Sequence, residues 1–318
     1  MQLAGIVSTV VVLAIAPACA ASTMEPTPGP PPVAATSPAP GPVYTLDDPV
    51  HRSPVAIAWH DPSRSFLVGT YHDGTIYRGR LEDPTVPVYI EGRRGQTVNG
   101  IKIANGRLFV AGGLYGDVRV HDLETRELVG EFDTGSGGWL VDMAVTSAGD
   151  VWVTDAARPV LWHLTPELVA AGSGAPTPLP LGPEISYVAT PDNVYGIVAV
   201  TDSRFVVVKH VDGTLYRVDV DPQAPGGRTI TPIDGATVRQ GQGMVLEGRR
   251  LIVADYAGIS VVELGEDMLH ARVVEQLRDP SFRATASVVH VGDRYLVVNA
   301  GGSAAPPPDT VVSVPAVG

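Results

Sequence analysis

The feature that most restricts this chain is a repeat. Six segments share one pattern, in which a short apolar strand leads through a turn into a second apolar strand. They are "VAIAWHDPSRSFLVG" from Val55, "NGIKIANGRLFVAG" from Asn99, "VDMAVTSAGDVWVTD" from Val141, "YGIVAVTDSRFVVVK" from Tyr195, "QGMVLEGRRLIVAD" from Gln242 and "ASVVHVGDRYLVVN" from Ala286. The starts are 44, 42, 54, 47 and 44 residues apart. A period of that length is the size of a four-stranded propeller blade, since four strands of typical length plus their turns fill it.

Third strands follow the repeated pair. "HDGTIYRGRL" (72–81) returns as "VDGTLYRVDV" (211–220), and "GDVRVHDL" and "RPVLWHL" occupy the same slot in the second and third copies. Asp-Gly supplies the positive φ that a tight reversal needs, so this duplicated phrase is scaffold, with Ile76 and Leu215 packing between blades. From residue 43 onward no amphipathic helix stands out, and "LTPELVAAG" is at most two turns. The expected fold is therefore all-β: a six-bladed propeller of four-stranded blades. The sixth copy runs out after three strands at "DTVVSVPAVG". A ring cannot leave a strand edge open, so the strand-like "PVYTL" (42–46) is expected to supply the missing outer strand and close the circle.

Ahead of the ring, residues 1–20 read as a signal peptide, with the apolar run "LAGIVSTVVVLAIA" too short to span a bilayer comfortably. The lone cysteine, Cys19 in "APAC", resembles a bacterial lipoprotein box, which makes Cys19 a lipidation site; ordinary secretion with cleavage after Ala20 is the alternative. Residues 21–42 hold eight prolines and little to bury, and read as a disordered, semi-stiff tether. The propeller then occupies 43–318, and the expected location is exported, at the cell surface or secreted. Net charge is −12 without a basic run, which argues against nucleic acid as a partner. Contact with a membrane is expected only through the N-terminal lipid.

"PVAIAWHDPSRSFLVGTYHDGTIYRGRL", "NGIKIANGRLFVAGG" and "DVWVTDAARPVLWHL" resemble the senescence marker protein/gluconolactonase/luciferin-regenerating-like family, over roughly residues 50–300. The resemblance implies six blades. It also implies a divalent cation, usually calcium, in the central mouth, held by a Glu, two Asn and an Asp at the starts of inner strands, where it helps hydrolyse a sugar lactone. The six corresponding positions here are Val55, Asn99, Val141, Tyr195, Gln242 and Ala286. Only Asn99 agrees with that set, and a hard cation needs several anionic oxygens.

Two readings follow. In the first, the mouth binds without catalysing and without a cofactor, taking a small molecule or a protein partner between Val55, Val141, Ala286, Tyr195 and Trp139, with Asn99 and Gln242 giving directed hydrogen bonds. In the second, a lactone hydrolase keeps a rearranged calcium or other divalent site built from Asn99, Asp142 and Gln242, with Asp142 as its catalytic carboxylate. Strand alternation turns Asp142 off the axis, which favours the first. Asp155 and Asp255, ending second strands, are read as turn acceptors. Arg93, Arg94, Arg239, Arg278 and Arg283 fall on loops of the mouth face, as does the long connection 164–193, which is either a lid or an embellished outer strand.

Overall fold

The computed structural model describes residues 34–37, 41–48, 50, 52–221, 223–224, 226–300 and 309–316. The expected signal peptide, Cys19 and most of the expected tether lie outside these residues. Six antiparallel sheets make six blades, as the repeat predicts. The inner strands are Pro54–His60, Gly100–Ala104, Leu140–Val145, Val194–Thr201, Met244–Glu247 and Thr285–Val291. Each begins at one face of the ring, called the upper face below.

The second strands, such as Ser65–Thr70 and Val151–Asp155, are buried on both sides, because each blade is covered by its neighbours. This is why they read as unbroken apolar runs rather than alternating ones. The buried side chains form six separate clusters, one in each gap between consecutive blades. Ile76 packs in the gap between blades 1 and 2, and Leu215 in that between blades 4 and 5.

The duplicated phrase is scaffold at the level of single bonds. Gly74 and Gly213 have φ of 76° and 79°. Asp73 and Asp212 accept hydrogen bonds from the amides of Thr75 (3.1 Å) and Thr214 (3.0 Å). A Cβ at Gly213 would lie 2.3 Å from the Arg239 amide nitrogen, so the turn also demands close approach to the next loop.

Val43–Leu46 closes the ring. It pairs antiparallel with Thr310–Pro315 as the outer strand of blade 6, and its far side pairs in parallel with Thr85–Val86 of blade 1. Tyr44 and Leu46 are buried in the gap between blades 6 and 1, where Tyr44 meets Phe66 edge-on with ring centroids 5.1 Å apart. One expectation needs correcting. The segment read as tether is not wholly free, because Ala35–Thr36 pairs in parallel with Ala271–Leu277, the outer strand of blade 5, and Ser37 Oγ donates to the Arg278 carbonyl.

The 164–193 connection is an embellished outer strand rather than a lid. It contains the short helix Pro166–Ala171, capped by Thr165, and the outer strand Thr177–Pro180. Leu181 and Ile185 then bury in the gap between blades 3 and 4. The Asn193 side chain ties the return, accepting from the Val188 amide at 2.7 Å and donating to the carbonyls of Ala156, Val188 and Thr190.

Candidate functional site

At the upper end of the ring axis the structure places a cavity of about 160 Å³. Val55, Asn99, Val141, Tyr195, Gln242 and Ala286, one from each blade, all line it, and so does Trp139. The reason is local. In blades 1, 3, 4 and 6 the pairing of inner with second strand slips at this level, between Pro54 and Ala56, Leu140 and Met143, Val194 and Ile197, and Thr285 and Ser287. Each slip is a bulge that re-aims the side chains at the strand's start toward the axis.

In blades 2, 4 and 5 the mouth residue is followed by glycine, and close packing explains it. A Cβ on Gly100 would lie 2.5 Å from the Val141 carbonyl oxygen, and one on Gly196 would lie 2.0 Å from that of Gln242. Gly243 likewise abuts Ser287. Without side chains there, adjacent inner strands close into a tight neck.

The bulge in blade 3 overturns one expectation. Because two residues, Val141 and Asp142, stand opposite the single Thr154, alternation breaks and Asp142 is not turned off the axis. Its side chain sits inside the ring between the cavity and the lower axial opening. Asp142 Oδ1 accepts from the Met143 amide at 2.8 Å and pairs with Lys102 Nζ at 3.1 Å, while Oδ2 lies 3.4 Å from the Ile197 amide. The carboxylate therefore arrives inside the ring already neutralised.

That arrangement tests the implied cation. Asp142 is the one carboxylate among the residues lining the cavity. Asn99 and Gln242 add neutral oxygens, and the Gln242 amide nitrogen donates to the Thr285 carbonyl at 3.4 Å. Among the described residues no three His, Cys, Asp or Glu side chains are grouped as metal ligands. One carboxylate held by an ammonium, beside two amides, does not fit a calcium site.

One wall of the cavity is aromatic. Trp139 and Tyr71 lie nearly parallel, 14° apart with centroids at 6.1 Å, and Tyr195 stacks on His210 at 4.1 Å. Burial, with Asp192 and Tyr71 nearby, pushes the Tyr195 phenol up to about 12. It is therefore a neutral donor at physiological pH. Asn99 Oδ1 is buried against Gly113 and has no hydrogen-bond partner among the described residues.

Asp155, fully buried, fixes the aromatic wall from behind. Its Oδ1 accepts from the amides of Trp139, Ala157 and Arg158, each at 3.0 Å. Its Oδ2 accepts from Arg158 Nε at 2.6 Å and Trp162 Nε1 at 3.1 Å. Asp155 is a turn acceptor, as read. Asp255, in blade 5, is not: its carboxylate is bonded by the Ser260 hydroxyl and the Arg278 guanidinium rather than by turn amides. Arg278 is consequently withdrawn from the expected arginine group, whereas Arg93, Arg94, Arg239 and Arg283 remain exposed.

Sequence reasoning missed Tyr71, which ends "LVGTY" just past the second strand of blade 1. Its signal was an aromatic where that loop turns over the mouth.

No protein-family model matches the chain, and no curated protein sequence is similar to it. Solved structures share its fold. The U3-55K structure matches with a TM-score of 0.62 at 11% identity, covering 88% of this chain and 100% of that one. The RRP9 WD40 repeats match at 0.63 and 12%, covering 88% and 99%. A catalytically inactive virginiamycin B lyase from Staphylococcus aureus with quinupristin matches at 0.54 and 11%, covering 86% and 99%. At such identities the likeness establishes the propeller and nothing finer.

Proposed function

We propose that the chain is an exported, lipid-anchored propeller of the gluconolactonase-like type that binds a ligand or partner at its upper mouth and does not hydrolyse it. One observation carries this reading. Side chains from all six blades converge on a single cavity with an aromatic wall, with Asn99 and Gln242 in its lining, and with its one carboxylate already paired. Apolar walls with a few directed polar groups are the usual make-up of a binding site. The solved virginiamycin B lyase with quinupristin and the WD40 structures lend support by fold alone. The resemblance of the first three blades supports the family assignment.

Screening a fragment library against the full chain by ligand-observed NMR tests the reading. Hits are expected to disappear in Val141→Arg, which fills the cavity. Hits that bind Val141→Arg as well as wild type would move the site elsewhere and defeat it.

The inward turn of Asp142 favours one competing reading, a lactone hydrolase that uses this carboxylate. Calcium-dependent hydrolysis of gluconolactone, abolished by Asp142→Asn, would establish that reading instead.

A further inference from the structure

We propose that the lower axial opening is a second binding site, for an amphiphilic carboxylate: an aliphatic chain with a single anionic head. The inner strands end around an opening of about 360 Å³ at the other end of the axis. Each blade contributes an apolar side chain left half-buried there: Trp59, Ile103, Val145, Ala199, Leu246 and Val289. Every blade thus gives the opening an apolar side chain, beside the polar groups that share its lining. Its volume falls within the range of small-molecule sites, above about 300 Å³, whereas the upper cavity falls below that range.

Charge selects the occupant. No Asp or Glu is among the residues lining the opening, although the chain as a whole carries a net charge of −12. Lys102 lines it, with its side chain 28% exposed and Asp142 as its partner at 3.1 Å. The Lys102 ammonium has no other ion-pair or hydrogen-bond partner among the described residues. An ammonium carries three donors, so Lys102 can serve Asp142 and a second carboxylate together. His290, also in the lining, is engaged through Nδ1 by Glu247. The greasy wall takes the chain and Lys102 takes the head. An amine head would meet the Lys102 ammonium and find no carboxylate in the lining to accept its protons, and a neutral head would forgo the charge-assisted bond.

Calorimetry on the full chain with octanoate, decanoate, octan-1-ol and octylamine tests this. Octanoate is expected to bind and octylamine not to. Decanoate should bind more tightly by about four-fold per added methylene. Joint replacement of Lys102→Met and Asp142→Asn, which avoids stranding a carboxylate, should weaken octanoate by about ten-fold, to the level of octanol. Leu246→Asp leaves the pair intact, and its acid on the wall should abolish octanoate binding even if the double variant fails to fold. Three results would overturn the proposal: no heat with octanoate, equal binding of octanol and octanoate by wild type, or octanoate binding unchanged by Leu246→Asp.

Discussion

Lys102 Nζ stands 3.1 Å from Asp142 Oδ1, joining the inner strands of blades 2 and 3 between the two axial openings. The Asp142 side chain is 8% exposed, so its charge depends on this neighbour and on the Met143 amide. Removing the cation alone leaves a buried carboxylate short of a partner, which costs more than the pair itself contributes. Lys102→Met should therefore lose about 2 kcal/mol, discounted from the fully buried case because Lys102 reaches solvent. Adding Asp142→Asn to Lys102→Met should recover most of that loss. Urea denaturation of the two single variants and the double variant gives the coupling directly. Strictly additive losses would show that the pair has no energetic link.

The clasp between the chain's two ends sets a second expectation. Tyr44 is 2% exposed, meets Phe66 edge-on, and donates its hydroxyl to the Leu81 carbonyl at 3.3 Å. Tyr44→Ala opens a hole between blades 6 and 1 and should cost about 3 kcal/mol. Deleting residues 43–50 removes the whole outer strand, uncovers the edges of Thr310–Pro315 and Thr85–Val86, and should prevent cooperative unfolding. Thermal melts of both variants provide the check. An unchanged melting temperature after the deletion would mean that the ring holds without its clasp.

At the neck, the tightest approach is at Gly196. Its φ is ordinary, so the demand is steric: a methyl there would meet the Gln242 carbonyl oxygen at 2.0 Å and the Met244 side chain at 2.8 Å. Backbone cannot yield as a flexible side chain can. Gly196→Ala should cost about 2 kcal/mol or more. Gly243→Ala should cost less, because its nearest obstacle is the Ser287 hydroxyl. Equal losses in denaturant midpoints would indicate that the neck relaxes freely.

The ring and its mouth were legible because both follow from the repeat. Each copy begins with its mouth residue, so aligning the copies aligned the cavity, from Val55 to Ala286. Asp142 was not legible, since alternation assumes an unbroken ladder and the bulge between Leu140 and Met143 is a property of pairing with the second strand. The glycines after Asn99, Tyr195 and Gln242 were visible in the sequence. Their cause was not, because the backbone they accommodate belongs to the next blade. Ala35–Thr36 escaped for the opposite reason. A two-residue parallel pairing on an outer edge leaves no periodicity to read.

His210 ties stability to pH. Its ring lies on Tyr195 at 4.1 Å, and its Nδ1–H donates to the Gly241 carbonyl at 3.2 Å. Burial is the leading influence and lowers its pKa, with the Gly241 carbonyl and Asp192 acting more weakly in the other direction. His121 and His60 are lowered as well, again chiefly by burial. A histidine depressed in the folded state takes up its proton more readily when unfolded. Stability is then complete above the unfolded value, near 6.5, and falls as pH drops from there toward the folded value. The denaturant midpoint should accordingly decline between pH 7 and pH 5. His210→Gln, which keeps a donor but cannot titrate, should decline less over the same interval. Identical slopes for the two proteins would show that His210 is not a source of the pH dependence.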